Sequence, residues 1–223
     1  MSEQLAVIFD VDGVLVDSYT AHLESWRALA RERGCHEMTE DEFRATFGRT
    51  SREIIAEMWT EDALSAAQVR ELDDRKEELF RDMLRADFQA MPGAGELIDS
   101  LRSAGFVIAA GSSGPPDNVL LVLEQLQRQN KFGAVVTGVD VQRGKPEPEV
   151  FLRCAQRLGV AAEQCAVIED AQVGIEAANR AGMLSVGLAA PPRTVDELSN
   201  ADHVVESHSD LSPDLIAQWI SAG

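Results

Sequence analysis

The sequence predicts an α/β protein, a doubly wound parallel sheet interrupted after its first strand by a block of helices. Three observations carry this. Leu5 to Phe9 is an unbroken apolar run closed by Asp10, the pattern of a strand buried on both faces. From Tyr19 to about Leu84 the apolar residues recur at helical spacing, and no strand-like run intervenes. After Met91-Pro92-Gly93, strand-like and helix-like segments alternate, the rhythm of successive β-α-β units.

The elements follow in order. In the helical block, Leu23, Trp26, Leu29 and Ala30 lie at helical spacing, and Gly34 stops that helix. Thr39-Glu40-Asp41-Glu42 and Ser65-Ala66-Ala67-Gln68 are capping boxes, each opening a further helix. Beyond the block, strands are expected at Phe106–Ala110, Ala134–Thr137, Cys165–Ile168, Leu184–Leu188 and His203–Val205. Between them lie a helix carrying Val119, Leu120, Leu123 and Leu126, one from Pro148 to Leu158 stopped by Gly159, and one ending at Ala181-Gly182. The expected division is a core of residues 1–16 and 92–223 and an inserted helical cap of residues 17–91, hinged near Val16–Tyr19 and Ala90–Gly93.

Bulk properties fit this plan. A chain of 223 residues, 45% hydrophobic with 8 prolines, has room for one core and a smaller insert. With 38 acidic against 20 basic residues the net charge is −18, which argues against nucleic acid or an anionic membrane as partner. Cys35, Cys154 and Cys165 are not spaced as a metal or redox pair, so reduced thiols and a cytoplasmic location are expected. The first residues lack the basic and apolar regions of a signal peptide, and no run approaches the roughly 18 apolar residues of a membrane helix.

In an open parallel sheet, ligands bind at the carboxyl ends of the strands. The first strand is followed by Asp10 and Asp12, the second by Ser112 and Ser113, the third by Arg143-Gly144-Lys145-Pro146, the fourth by Glu169-Asp170. Any one of these could merely cap a helix. Together they place four carboxylates, two hydroxyls and one ammonium at one edge. Carboxylates and carbonyls form a hard-oxygen site suited to Mg²⁺, which would offset their mutual repulsion. A lysine and a serine hydroxyl suit phosphoryl oxygens. A carboxylate facing phosphorus can act as a nucleophile, and a second, two residues on, can move a proton.

The strand-end residues and "IEDAQVGIEAANRAG", Ile168 to Gly182, resemble the haloacid dehalogenase superfamily over nearly the whole chain. The resemblance is to its helical-cap subgroup, and within it to the β-phosphoglucomutase-like phosphatases and phosphomutases. It implies a Rossmann-like core with Asp10 as nucleophile, Asp12 as general acid and base, and Ser112 and Lys145 as phosphoryl contacts. It implies Mg²⁺ held by Asp10, the Asp12 carbonyl and Asp170, with Glu169 beside them. His22 and Trp26 in "AHLESWRAL", Arg52 in "TSREI" and Lys76 in "RKEELF" match the subgroup's cap, so His22, Arg52 and Lys76 are expected substrate contacts, with Ser113 and Gly48. True dehalogenases of the family lack the second aspartate, and Asp12 argues against that activity.

The expected function is Mg²⁺-dependent hydrolysis of a small phosphorylated metabolite, most readily a sugar phosphate, by a monomer. The alternative is a β-phosphoglucomutase interconverting β-glucose 1-phosphate and glucose 6-phosphate. That reading is weakened because Ser113-Gly114-Pro115-Pro116-Asp117 carries no basic residue to grip a second phosphate. A non-enzymatic phosphate sensor is the third reading, disfavoured because every motif is present.

Overall fold

The structure, a computed structural model, describes residues 4–46, 50–58 and 64–222. The chain separates into two compact units, Met1–Asp17 with Ala90–Gly223, and Ser18–Gln89.

The larger unit begins with β1 (Ala6–Phe9), whose four residues are all buried. The smaller unit contains α1 (Tyr19–Arg33), α2 (Glu40–Arg44), α3 (Ser51–Met58) and α4 (Ala66–Ala86). The larger unit resumes with α5 (Ala94–Ser103), β2 (Val107–Gly111), α6 (Pro116–Gln125), β3 (Ala134–Val136) and α7 (Glu149–Leu158). It ends with β4 (Cys165–Glu169), α8 (Gln172–Arg180), β5 (Leu184–Leu188), β6 (His203–Val205) and α9 (Pro213–Ala222).

The strands form one parallel sheet in the order β3-β2-β1-β4-β5-β6. The order runs outward from β1 to β3, then returns across β1 to β4. With right-handed crossovers, that reversal sends α5 and α6 to one face and α7 and α8 to the other. On the latter face Ala6 and Ile8 of β1 join Ala109, Val136, Cys165 and Val167, and Phe151, Cys154 and Ala177 of the helices cover them. This is the doubly wound sheet the sequence predicts, and the five expected later strands fall within one residue of their expected ends.

Outside the helical block, two α-helices were not anticipated. α5 starts at Ala94 after Gly93, a left-handed N-cap (φ 81°) with no capping side chain, so its start carries no Ser or Asp signal. α9 starts at Pro213, after the last strand. The crossings into and out of the insert lie side by side in the larger unit. Val16 forms an antiparallel bridge with Ala90, and the Met91 N–H donates to the Leu15 carbonyl at 3.1 Å.

In the smaller unit α1 packs on α4 around Leu23, Trp26, Leu29, Phe43, Ile54, Ile55 and Leu72. Gly34 ends α1 in the left-handed region (φ 65°), and both capping boxes form, Thr39 with Glu42 and Ser65 with Gln68.

Candidate active site

The site lies in the larger unit, where the sheet order reverses between β1 and β4. Asp10 follows β1, and its N–H donates to the Ile168 carbonyl at 3.0 Å, which sets it beside Glu169 at the end of β4. The chain then folds back on itself. The Gly13 N–H donates to the Val16 carbonyl at 2.9 Å, and the Leu15 N–H to the Val11 carbonyl at 2.8 Å. Gly13 has φ +76°, and a Cβ there would lie 2.3 Å from Oδ2 of Asp170. The turn therefore needs glycine twice, for its backbone and for the approach of Asp170.

Lys145 joins the two halves of the cluster. Its Nζ donates to Asp10 Oδ1 at 2.6 Å and to Glu169 Oε1 at 2.5 Å, over the Phe151 ring at 4.9 Å from the centroid. Glu169 also accepts from the Ala171 N–H at 2.8 Å, and its side chain lies flat on Gly174, where a Cβ would be 1.8 Å from Oε1. Asp170 Oδ2 accepts from Arg193 Nε at 2.9 Å. Ser112 is buried after β2, and its Oγ accepts from the Gly114 N–H at 3.0 Å, which leaves its own proton for another acceptor. A Cβ on Gly114 would sit 3.2 Å from Ser112 Oγ and 4.0 Å from Asp12 Oδ2, so both side chains lie next to that glycine. Ser113 is exposed on the same loop, which the Gly138 N–H ties down at the Gly114 carbonyl, 3.0 Å away.

The electrostatics follow from burial. Burial pushes the Asp10 carboxyl well above its usual range. Lys145 opposes this, and Glu169, Asp170 and Asp12 add to it. Asp170 is raised to about 6 by burial, against the Arg193 guanidinium and with the repulsion of Glu169. Burial works to lower the Lys145 ammonium, but Asp10 and Glu169 outweigh it and hold the proton on firmly. Lys145 thus pairs with Asp10 and Glu169, and Arg193 with Asp170. Asp10, Glu169 and Asp170 each offer an oxygen, all within 4.8 Å of one another. Three carboxylates offering hard oxygens so close together fit a divalent cation such as Mg²⁺.

The insert residues of interest form a cluster of their own. Lys76 is 1% exposed; its Nζ lies 2.9 Å from His22 Nδ1 and donates to Glu77 Oε1 at 2.9 Å. Glu77 Oε1 also accepts from Ser51 Oγ at 2.7 Å, and the His22 ring stacks on Phe80 at 4.0 Å. Burial would raise the Glu77 carboxyl, but Lys76 and His22 hold it below its ordinary value. Arg52 donates from Nε to Asp73 Oδ2 at 2.7 Å. Gly48 lies outside the described residues.

Strand-end reasoning missed Arg193, Gly13, Gly174 and Phe151. Arg193 had a signal, since it follows β5 by the same rule, but Ala189-Ala190-Pro191-Pro192 separates it from the strand. The glycines and Phe151 reveal themselves only through what packs against them.

Residues 5–182 match the family model described as haloacid dehalogenase-like hydrolase. The chain is 33% identical over 182 residues to a phosphorylated carbohydrates phosphatase of Thermotoga maritima, covering 80% of this chain and 82% of that protein. It is 30% identical over 231 residues to a β-phosphoglucomutase of Bacillus subtilis, covering 96% and 95%. The crystal structure of a β-phosphoglucomutase from Clostridium difficile superposes with a TM-score of 0.87 at 27% identity, covering 98% of each chain.

Proposed function

Because the chain belongs to the haloacid dehalogenase-like hydrolases, we propose that it hydrolyses the phosphate ester of a small sugar through an aspartyl-phosphate on Asp10. The observation that carries this reading is the Asp10 carboxylate gripped by Lys145, with the Asp12 and Ser112 side chains both beside Gly114. A carboxylate of Asp10 attacks phosphorus and the bond to the ester oxygen breaks. Asp12 gives its proton to the departing alkoxide. Water then attacks the phosphoryl group, Asp12 takes its proton, and inorganic phosphate leaves Asp10 as a free carboxylate. The Ser112 hydroxyl and the Lys145 ammonium face the charge that develops on the phosphoryl oxygens.

Asp10, Asp170 and the Asp12 carbonyl would hold Mg²⁺, with Glu169 beside them. When bound, it supplies positive charge against the carboxylates and the phosphoryl oxygens. In this reading the helical insert is the cap that carries specificity, and the protein works in the cytoplasm with its three cysteines reduced, as none is bridged. No helix among the described residues is long and apolar enough to cross a membrane.

The second reading, a β-phosphoglucomutase, is favoured by the Bacillus subtilis and Clostridium difficile relatives. It requires a firm grip on a sugar's second phosphate. Arg52 is committed to Asp73, and Lys76 to Glu77 and His22, so each cation this reading would enlist already has a carboxylate. The Ser113-Gly114-Pro115-Pro116 loop adds none. A charged hydrogen bond is worth about 1.5–3 kcal/mol, so a missing one shortens bisphosphate retention by roughly 10–100-fold. A bisphosphate that escapes before turning around leaves the phosphoryl group to water.

A panel of sugar monophosphates, with and without chelator, tests the proposal by release of inorganic phosphate. β-Glucose 1-phosphate with a trace of glucose bisphosphate separates the two readings. Free phosphate outpacing glucose 6-phosphate supports hydrolysis. Glucose 6-phosphate forming many times faster makes the protein a mutase.

A further inference from the structure

We propose that Arg193 makes the cation site discriminate Mg²⁺ from Ca²⁺, by holding one oxygen of Asp170 and restricting that carboxylate to a single ligand oxygen. The inference rests on the reading of Asp170 as a cation ligand.

Oδ2 of Asp170 is enclosed from two directions. Arg193 Nε donates to it at 2.9 Å, and Gly13 lies so close that a Cβ there would be 2.3 Å away. Both partners of the ion pair are largely buried, with side chains 17% and 12% exposed. The loop that carries Arg193 is itself fixed. The Arg193 N–H donates to the Ala190 carbonyl at 2.9 Å, and the N–H and hydroxyl of Thr194 bond Glu197 at 2.7 and 2.9 Å. The strand before it, β5, pairs with β4 in a register that sets Glu169 opposite Gly187, so the loop emerges beside Asp170.

The two ions ask different things of a carboxylate. Mg²⁺ takes six oxygens in a tight octahedron at about 2.0–2.1 Å, where one oxygen per carboxylate fits. Ca²⁺ takes about 6–8 oxygens at about 2.3–2.6 Å and gains from a carboxylate that offers both. With Oδ2 engaged, Asp170 has one oxygen to give. The guanidinium charge, by contrast, opposes both divalent ions alike. The ratio of the two affinities therefore isolates the geometric effect from the electrostatic one.

Two substitutions separate these effects. Glutamine carries a donor nitrogen at the same number of bonds from Cα as the arginine Nε, so Arg193→Gln keeps the hydrogen bond and removes the charge. Arg193→Met has similar reach and no donor. Dissociation constants for Mg²⁺ and Ca²⁺ would come from amide chemical-shift titrations of the chelator-stripped protein. In Arg193→Gln both ions should bind more tightly while their ratio stays within about twofold of the unchanged protein. In Arg193→Met the preference for Mg²⁺ should fall by about tenfold or more. A ratio in Arg193→Met equal to that in Arg193→Gln would overturn the proposal and leave Arg193 as a charge alone. Asp170→Asn is the control. If Mg²⁺ binds it as well as it binds the unchanged protein, the reading of Asp170 as a ligand fails, and this inference with it.

Discussion

The ammonium of Lys145 lies 2.6 Å from the carboxylate of Asp10, across the reversal in the sheet, with Glu169 at 2.5 Å on its other side. One cation therefore serves two buried acids. Removing a partner from a buried pair typically costs about 3–5 kcal/mol, because it strands the remaining charge.

The two ends of that contact should respond differently to mutation. Asp10→Asn removes an acid that burial already disfavours and leaves Lys145 its bond to Glu169. Its thermal unfolding should stay within about 1 kcal/mol of the unchanged protein, while turnover falls by at least about a thousandfold. Lys145→Met strands both carboxylates and should lower stability by about 3 kcal/mol as well as activity. Appreciable turnover by Asp10→Asn would remove Asp10 from the nucleophile role.

Asp12→Ala should slow hydrolysis of sugar phosphates by about 10²–10⁴-fold, the usual contribution of a general acid and base. Nitrophenyl phosphate, whose leaving group needs no proton, should lose much less. Steady-state rates on the two esters give the comparison, and equal losses would count against proton donation by Asp12.

Gly13→Ala introduces a Cβ 2.3 Å from Asp170 Oδ2 and strains a backbone at φ +76°. Mg²⁺ should be required at about tenfold or higher concentration, because Asp170 must move. Gly34→Ala provides the contrast, since Gly34 has a similar φ of +65° but nothing within 4 Å. It should cost only the backbone strain, about 1 kcal/mol in urea unfolding, with the Mg²⁺ requirement unchanged.

His208 should make stability depend on pH. It is buried against the second crossing: Nδ1 donates to the Pro92 carbonyl at 3.2 Å and Nε2 has no partner. Burial lowers its pKa to about 4, from an ordinary 6.5. The folded protein thus binds the proton less readily than the unfolded chain. The stabilisation is complete above about pH 6.5 and is lost as pH falls toward 4, to a limit of about 3 kcal/mol. Urea unfolding from pH 7 to 4.5 should show a smaller loss in His208→Gln than in the unchanged protein. Parallel curves would show that His208 does not titrate in this window.

The sheet was legible because buried parallel strands write themselves as apolar runs, and Gly34, Gly159 and the two capping boxes punctuate the helices. Asp10, Asp12, Ser112, Lys145, Glu169 and Asp170 were legible because the carboxyl edge of such a sheet collects them. The charge partners were not. Arg52 meets Asp73 and Ser51 meets Glu77 across helices whose relative packing no local spacing reveals. Arg193 stood five residues past its strand behind two prolines, and α5 follows a glycine N-cap whose capping is a matter of backbone angle alone.

The central place of β1 has a consequence for synthesis. β1 is made before both of the strands that pair with it, β2 at Val107 and β4 at Cys165. A ribosome adding about 5–20 residues per second takes roughly ten to thirty seconds to reach β4. Throughout that interval the nascent chain carries an apolar ribbon with at least one edge unpaired. The intervening helices have a contiguous segment and a hydrophobic cluster of their own, and can gather during the wait. The period of greatest exposure to misassociation therefore falls on the ribosome, before the last carboxylates have been translated.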